Sequence, residues 1–341
     1  VSKISLNSRE EFFRALDNLP APDRRCMDYA RTRQDSLTKP QGSLGKLEEL
    51  SIFMAGWQGK EHPRLNQISC LVFAGNHGVT AQGISAYPPA VTKQMVQNFE
   101  NGGAAINQLC IAAGAKLRVI SLDLDHPTAD FTKAPAMSEE ELCRALQTGA
   151  DAVPDDCDCL LLGEMGIGNT TAAAALSLAL FGGDSGQWTG RGTGLAKDKL
   201  AHKAEVVETA VRRHSPEISD SFELLRCLGG RELAAIAGAV IAARQYRTPV
   251  LLDGFISTAA AAALTISAPD ILDHCQVSHL SVEPGHRHLI ETLGKSPILQ
   301  LDMRLGEASG AAVALMILRA SLATYNGMAS FEEAHVSRSL Q

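Results

Sequence analysis

The 341 residues, 45% of them hydrophobic and 20% charged, suffice for one large α/β domain with an accessory lobe or for two ordinary domains. A net charge of −7, with Lys and Arg scattered, argues against a nucleic-acid surface, which needs a basic stripe. No run of about 18 uncharged apolar residues is present to span a bilayer, and the opening residues lack a signal-peptide core, so the expectation is a soluble, cytoplasmic chain.

In chain order, charged and apolar residues alternate at helical spacing over 8–19 and 23–37, with Pro20 and Pro22 between them, which predicts two antiparallel helices. A Pro/Gly turn follows, with Ser43 as the expected N-cap of a helix through Trp57. Residues 69–75 form a short apolar run, the pattern of a strand buried on both faces of a parallel sheet. Asn76-His77-Gly78 then stands at the strand's C-terminal end, where open α/β sheets bind ligands. A lone histidine there is more often structural than catalytic.

Residues 90–114 predict a long helix interrupted at Gly102-Gly103, and 116–122 a second strand. Residues 123–137 read as a loop ended by the capping box Ser138 to Glu141, which opens a helix to about Asp151. The third strand is expected over 158–163. After it come a helix over 232–246, a strand over 249–254 ending near Asp253, a buried helix over 255–268 and a final strand over 277–281. His286 and His288 cannot share a helix face, and the eight cysteines lack zinc spacing, so no metal site is expected.

Two glycine turns carry the first chemical signal. Gly163 to Thr171 joins the third strand to an alanine-rich helix, and a strand, glycine turn and helix N-terminus together bind anions. Asn169-Thr170 occupies the place where a P-loop has Lys-Ser/Thr, so a monophosphate suits this turn better than a nucleoside triphosphate. A second turn, Gly190 to Gly194, precedes a helix over 197–214 that carries Lys203. Lysines on helices are ordinarily solvated; only a pocket would make Lys203 a ligand.

The second signal is Glu307, between Gly306 and a small-residue apolar helix that runs to about Tyr325. Two readings stand open. Buried, its carboxyl would be tuned towards neutrality as a general base; exposed, it would be an ordinary first-turn glutamate on a helix dipole.

Five motifs in order resemble one family: Lys39 to Gly45, Asn76 to Val79, Gly163 to Thr171, Leu252 to Phe255 and Met303 to Gly310. It is the nicotinate-nucleotide:dimethylbenzimidazole phosphoribosyltransferase family, and the similarity runs over nearly the whole chain. The resemblance implies a doubly wound, Rossmann-like parallel sheet over 65–307, a small helical lobe from 1–64 with 308–341, and a homodimer. It implies nicotinate mononucleotide and dimethylbenzimidazole as substrates, with no cofactor and no metal. Glu307 would be the catalytic base. Glu164, Gly166, Lys203 and the glycine-turn residues Gly168, Asn169, Thr170 and Gly192 would hold the nucleotide. Tyr87, Met95 and Met165 would contact the base, and Leu305 would be a further substrate-binding residue. Transfer to another base (benzimidazole, a purine or a phenol), a non-catalytic nucleotide-binding protein and a phosphate-binding kinase are the alternatives, the last disfavoured by the missing P-loop lysine.

Overall fold

The computed structural model describes residues 3–192 and 194–337; Thr193 of the second glycine turn lies outside the described residues. Ser8 and Asp23 accept backbone hydrogen bonds as N-caps of α1 (Arg9–Asp17) and α2 (Arg24–Ser36), as their side chains favour. Ser43 does not cap α3 (Lys46–Gln58): Gly45, at φ +50°, takes that place, because the Pro/Gly turn runs two residues further. β1 (Ile68–Ala74) is buried throughout. Gly102-Gly103 splits the next helix into α4 (Ala90–Glu100) and α5 (Ala105–Ala113), which return the chain to β2 (Lys116–Ser121).

α6 (Glu139–Ala152) opens on the Ser138/Glu141 capping box. β3 (Cys159–Met165) extends two residues beyond expectation, so Glu164 and Met165 belong to the strand and not to the turn. α7 (Asn169–Phe181), α8 (Ser185–Trp188), α9 (Leu200–His214), α10 (Ser221–Leu228) and α11 (Arg231–Gln245) lead to β4 (Val250–Leu252) and α12 (Phe255–Ala262). β5 (Cys275–His279) is not the last strand. α13 (Pro284–Thr292) follows it and delivers β6 (Pro297–Leu299), whose three half-buried residues are too few to show a sequence period. α14 (Ser309–Gly327) closes the fold.

All six strands are parallel, in the order β2-β1-β3-β4-β5-β6. Alternate residues of each strand face opposite layers. Leu71, Phe73, Leu160 and Leu162 pack with α6, α7, α11 and α12, while Cys70, Val72, Cys159 and Leu161 pack with α3, α5 and α14. Each such leucine contributes about 1.5–3 kcal/mol by leaving water. The edge strand β2 carries Lys116 and Arg118, charges that discourage further pairing. Among the described residues, no helix is long and apolar enough to cross a membrane. The strand order reverses between β1 and β3, and the crevice at their C-terminal ends is where this architecture binds ligands.

Candidate active site

Gly163 lets the Glu307 turn lie directly on β3: a Cβ there would stand 2.1 Å from the Ala308 nitrogen. Glu307 N donates to the Glu164 carbonyl at 3.3 Å, which fixes the turn on the strand. Both Glu307 and Ala308 adopt φ +63°, a left-handed conformation that costs non-glycine residues of order 1–3 kcal/mol and concentrates at functional sites. Ala308 is the N-cap of α14, so Glu307 precedes the helix and is not a first-turn residue. It is 5% exposed and its Oε2 has no hydrogen-bond partner. Burial raises its pKa from 4.5 to about 7, the outcome expected for a tuned base and opposite to that of a dipole-stabilised carboxylate.

Other acids crowd the same strand ends. Glu164 is buried, and its pKa is raised well above the usual range by desolvation and then by Asp253, Glu232 and Glu307. The Asn169 amide donates to Glu164 Oε2. Asp253, directly after β4, is pushed up to about 7, first by burial, although Ala311 N donates to its Oδ1 at 3.0 Å.

The folded pKa of Glu307 lies above its ordinary value, so its contribution to stability is fully present below about 4.5 and is lost as pH rises through about 7. Glu307→Gln, isosteric and uncharged, should therefore be more stable than the parent chain at pH 8, by at most about 3 kcal/mol. Calorimetry at pH 8 and pH 5 checks this: the gap should shrink to about 1 kcal/mol or less at the lower pH.

The anion turn is built on the neighbouring strand end. Gly168 sits at φ +102°, and a Cβ there would meet Thr80 Cγ2 at 2.9 Å and His77 Cβ at 3.1 Å. His77 itself is fully buried and hydrogen-bonds to Glu232, which makes it a support beneath the turn. Ile167 N is already engaged by Thr92 Oγ1 at 3.1 Å. The second glycine turn closes from the opposite side, where Gly192, at φ +54°, abuts Thr170 Oγ1.

Lys203 is 1% exposed, and its Nζ donates to Thr170 Oγ1 at 2.9 Å and to the Gly190 carbonyl at 3.0 Å. Burial lowers its pKa to about 8 against the opposing pull of Glu283. Arg304 Nη1 donates to the Gly192 carbonyl at 3.2 Å, tying the Glu307 segment to this turn.

Two adjoining cavities result. The larger is lined by Glu164, Met165, Gly166, Asn169, Thr170, Gly192 and Leu305, among others. The smaller adds Gly168, Arg191 and Lys203, and shares Gly166, Asn169, Thr170 and Gly192 with the first. Glu307 does not line either directly; Gly306, its neighbour, lines the larger.

Tyr87 and Met95 are not brought to either cavity. Tyr87 is 49% exposed, because its loop turns outward after Ser85 and Ala86, which do line the smaller cavity. Met95 packs into the core between sheet, α5 and α14, a role methionine fills readily. Glu283, Arg304 and His279 line the larger cavity without having been singled out as ligands in the sequence. Glu283 carried a usable signal: it stands just past a strand's C-terminal end and immediately before a proline at helix position N1.

Comparison with known proteins agrees with this geometry. A family model described as "Phosphoribosyltransferase" matches residues 19–336. The nicotinate-nucleotide–dimethylbenzimidazole phosphoribosyltransferase of Cereibacter sphaeroides is 54% identical over 335 residues, 98% of this chain and 99% of its own length. The enzyme of that name from Ruegeria pomeroyi is 55% identical over 333 residues, 98% of each chain. The crystal structure of CobT from Thermus thermophilus superimposes with a TM-score of 0.87 at 42% identity, covering 92% of this chain and all of that one. With a family model matched over residues 19–336 and relatives more than half identical over nearly its whole length, the chain belongs to the nicotinate-nucleotide–dimethylbenzimidazole phosphoribosyltransferase family.

Proposed function

We propose that this chain transfers 5-phosphoribose from nicotinate mononucleotide to dimethylbenzimidazole, giving α-ribazole 5′-phosphate and nicotinate for the lower ligand of cobalamin. The observation that carries the proposal is Glu307: a buried carboxyl with an unpartnered oxygen and a pKa of about 7, beside a cavity that continues into a smaller one lined by the glycine turns and Lys203. The phosphate is assigned to the smaller cavity, against the α7 N-terminus and Lys203, and the two rings to the larger.

The nicotinate ring is bonded to the anomeric carbon through a pyridinium nitrogen. It departs with the bonding electron pair and leaves its nitrogen neutral, so no acid has to protonate it. The lone pair of one benzimidazole nitrogen attacks that carbon from the opposite face, inverting β to α, while Glu307 accepts the proton from the other nitrogen. A positioned base supplies roughly 10²–10⁴-fold, and orientation of the two bound rings adds to it. Incubating the chain with both substrates and identifying products by mass spectrometry tests the proposal. Nicotinate and the ribosylated base should appear in equal amounts; nicotinate without the ribosylated base would make the chain a hydrolase.

Base recognition is assigned to Met165 and Leu305, which line the larger cavity, in place of Tyr87. Met165→Ala should lower kcat/KM for dimethylbenzimidazole about tenfold, through lost sulfur–aromatic and apolar contact, and Tyr87→Ala by less than about threefold. Steady-state kinetics on the two variants checks the order.

The proposal includes a cytoplasmic homodimer, in keeping with eight buried, unpaired cysteines. It also keeps a small helical lobe, with altered bounds. α2, α3 and the end of α14 meet around Cys26, Ala30, Ala55 and Tyr325. The start of α14 packs on the sheet instead, and α1 lies against α10 through Phe12 and Phe222. The lobe boundary is therefore drawn inside α14 and after α1.

A further inference from the structure

Apart from the two substrate cavities, the end of α9, the segment after it and the last turn of α10 bring His214, Glu217 and Cys227 together, with one ligand atom of each within 4.8 Å of the others. His214 and Cys227 are fully buried, and the Glu217 side chain is half-exposed. His214 Nε2 lies 2.8 Å from the Phe131 carbonyl. A carbonyl only accepts, so the ring proton sits on Nε2, and Nδ1 carries a lone pair. Among the described residues that buried Nδ1 has no hydrogen-bond partner. Glu217 Oε1 stands 4.0 Å from it, and Cys227 Sγ is 3.9 Å from Glu217 Oε2.

We propose that His214 Nδ1, the Cys227 sulfur and one Glu217 oxygen bind a single zinc-class divalent cation, with water from the exposed side as the fourth ligand. An imidazole, a thiolate and a carboxylate suit zinc and exclude magnesium or calcium, which take oxygen ligands. The Phe131 carbonyl on the far ring nitrogen is the support that metal-binding histidines receive, since it fixes both tautomer and ring orientation. His214 is also the last residue of α9, where the helix dipole favours a cation.

Metal–ligand bonds of about 2.0–2.3 Å require the three groups to draw closer, and the exposed Glu217 is the one free to move. Arg226 lies 3.4 Å from Glu217 Oε2 and opposes a cation there, but its Nε stays bound to Glu223 at 2.7 Å when Glu217 turns inward. On binding, the sulfur–metal bond replaces the S–H bond and the proton passes to solvent. The ion clamps the end of α9, the helix that carries Lys203, to α10. Chain spacing hides this site because Cys227 comes from a different helix.

The test uses the full chain, reduced and stripped with chelator, titrated with Co²⁺ and then Zn²⁺. One equivalent of cobalt should bind with a thiolate-to-cobalt charge-transfer band, release about one proton, and be displaced by zinc. Cys227→Ser should abolish the band. Glu217→Gln, at a half-exposed position that leaves folding intact, should weaken zinc at least about tenfold. Absence of the band in the parent chain, or binding unchanged by either substitution, overturns the proposal.

Discussion

Glu307→Gln is expected to lower kcat by at least about 100-fold while leaving the affinity for nicotinate mononucleotide within about threefold. Glutamine keeps the shape and the buried position but cannot accept the benzimidazole proton. The fold gives up stability to hold a carboxyl here: two consecutive left-handed residues, a strand glycine cleared for Ala308, and an unpartnered Oε2. Such an arrangement has little purpose for a residue that only packs. Rapid-quench kinetics with both substrates separates the chemical step from binding. Turnover within a factor of three of the parent would return Glu307 to a structural role.

Lys203→Met is expected to raise the Kd for nicotinate mononucleotide by about 10- to 150-fold, the range of one charge-assisted hydrogen bond of roughly 1.5–3 kcal/mol. Affinity for the uncharged base should change less than about threefold. Methionine fills much of the same buried space without the ammonium. Because burial holds the free lysine near pKa 8, an arriving phosphate should also return it to full charge, so binding at pH 8 takes up protons in the parent and not in the variant. Titration calorimetry in two buffers of different ionisation enthalpy reads both effects. The Gly190 carbonyl loses its donor in this variant, and its melting temperature reports that cost separately. An unchanged nucleotide affinity would place the phosphate elsewhere.

Much of the sheet was legible because β1 and β3 contain the unbroken apolar runs 70–74 and 159–163, and the capping box of α6 and the Gly102-Gly103 break have local causes. β6 was not, since three half-buried residues headed by a proline carry no period. The glycine turns were visible as turns, but their meeting depends on crossovers that bring Gly192 against Thr170, a tertiary fact. Lys203 shows the same limit. Its helix face looks like any other charged face, and only the fold encloses it between Thr170 and Gly190. Tyr87 is the converse case, where the family resemblance implied a base contact, whereas in the structure the side chain is half-exposed and away from both cavities.

The claim on which the rest depends is that burial tunes Glu307 into the proton acceptor of the transfer, and the pH dependence of kcat/KM tests it most directly. Only the carboxylate can take the proton, so kcat/KM should fall about tenfold per unit as pH drops below a midpoint near 7 and level off above it. The same profile in Glu307→Gln should be low and lack that limb. A midpoint near the ordinary value of 4.5 in the parent chain, or an unaltered limb in the variant, would contradict the account.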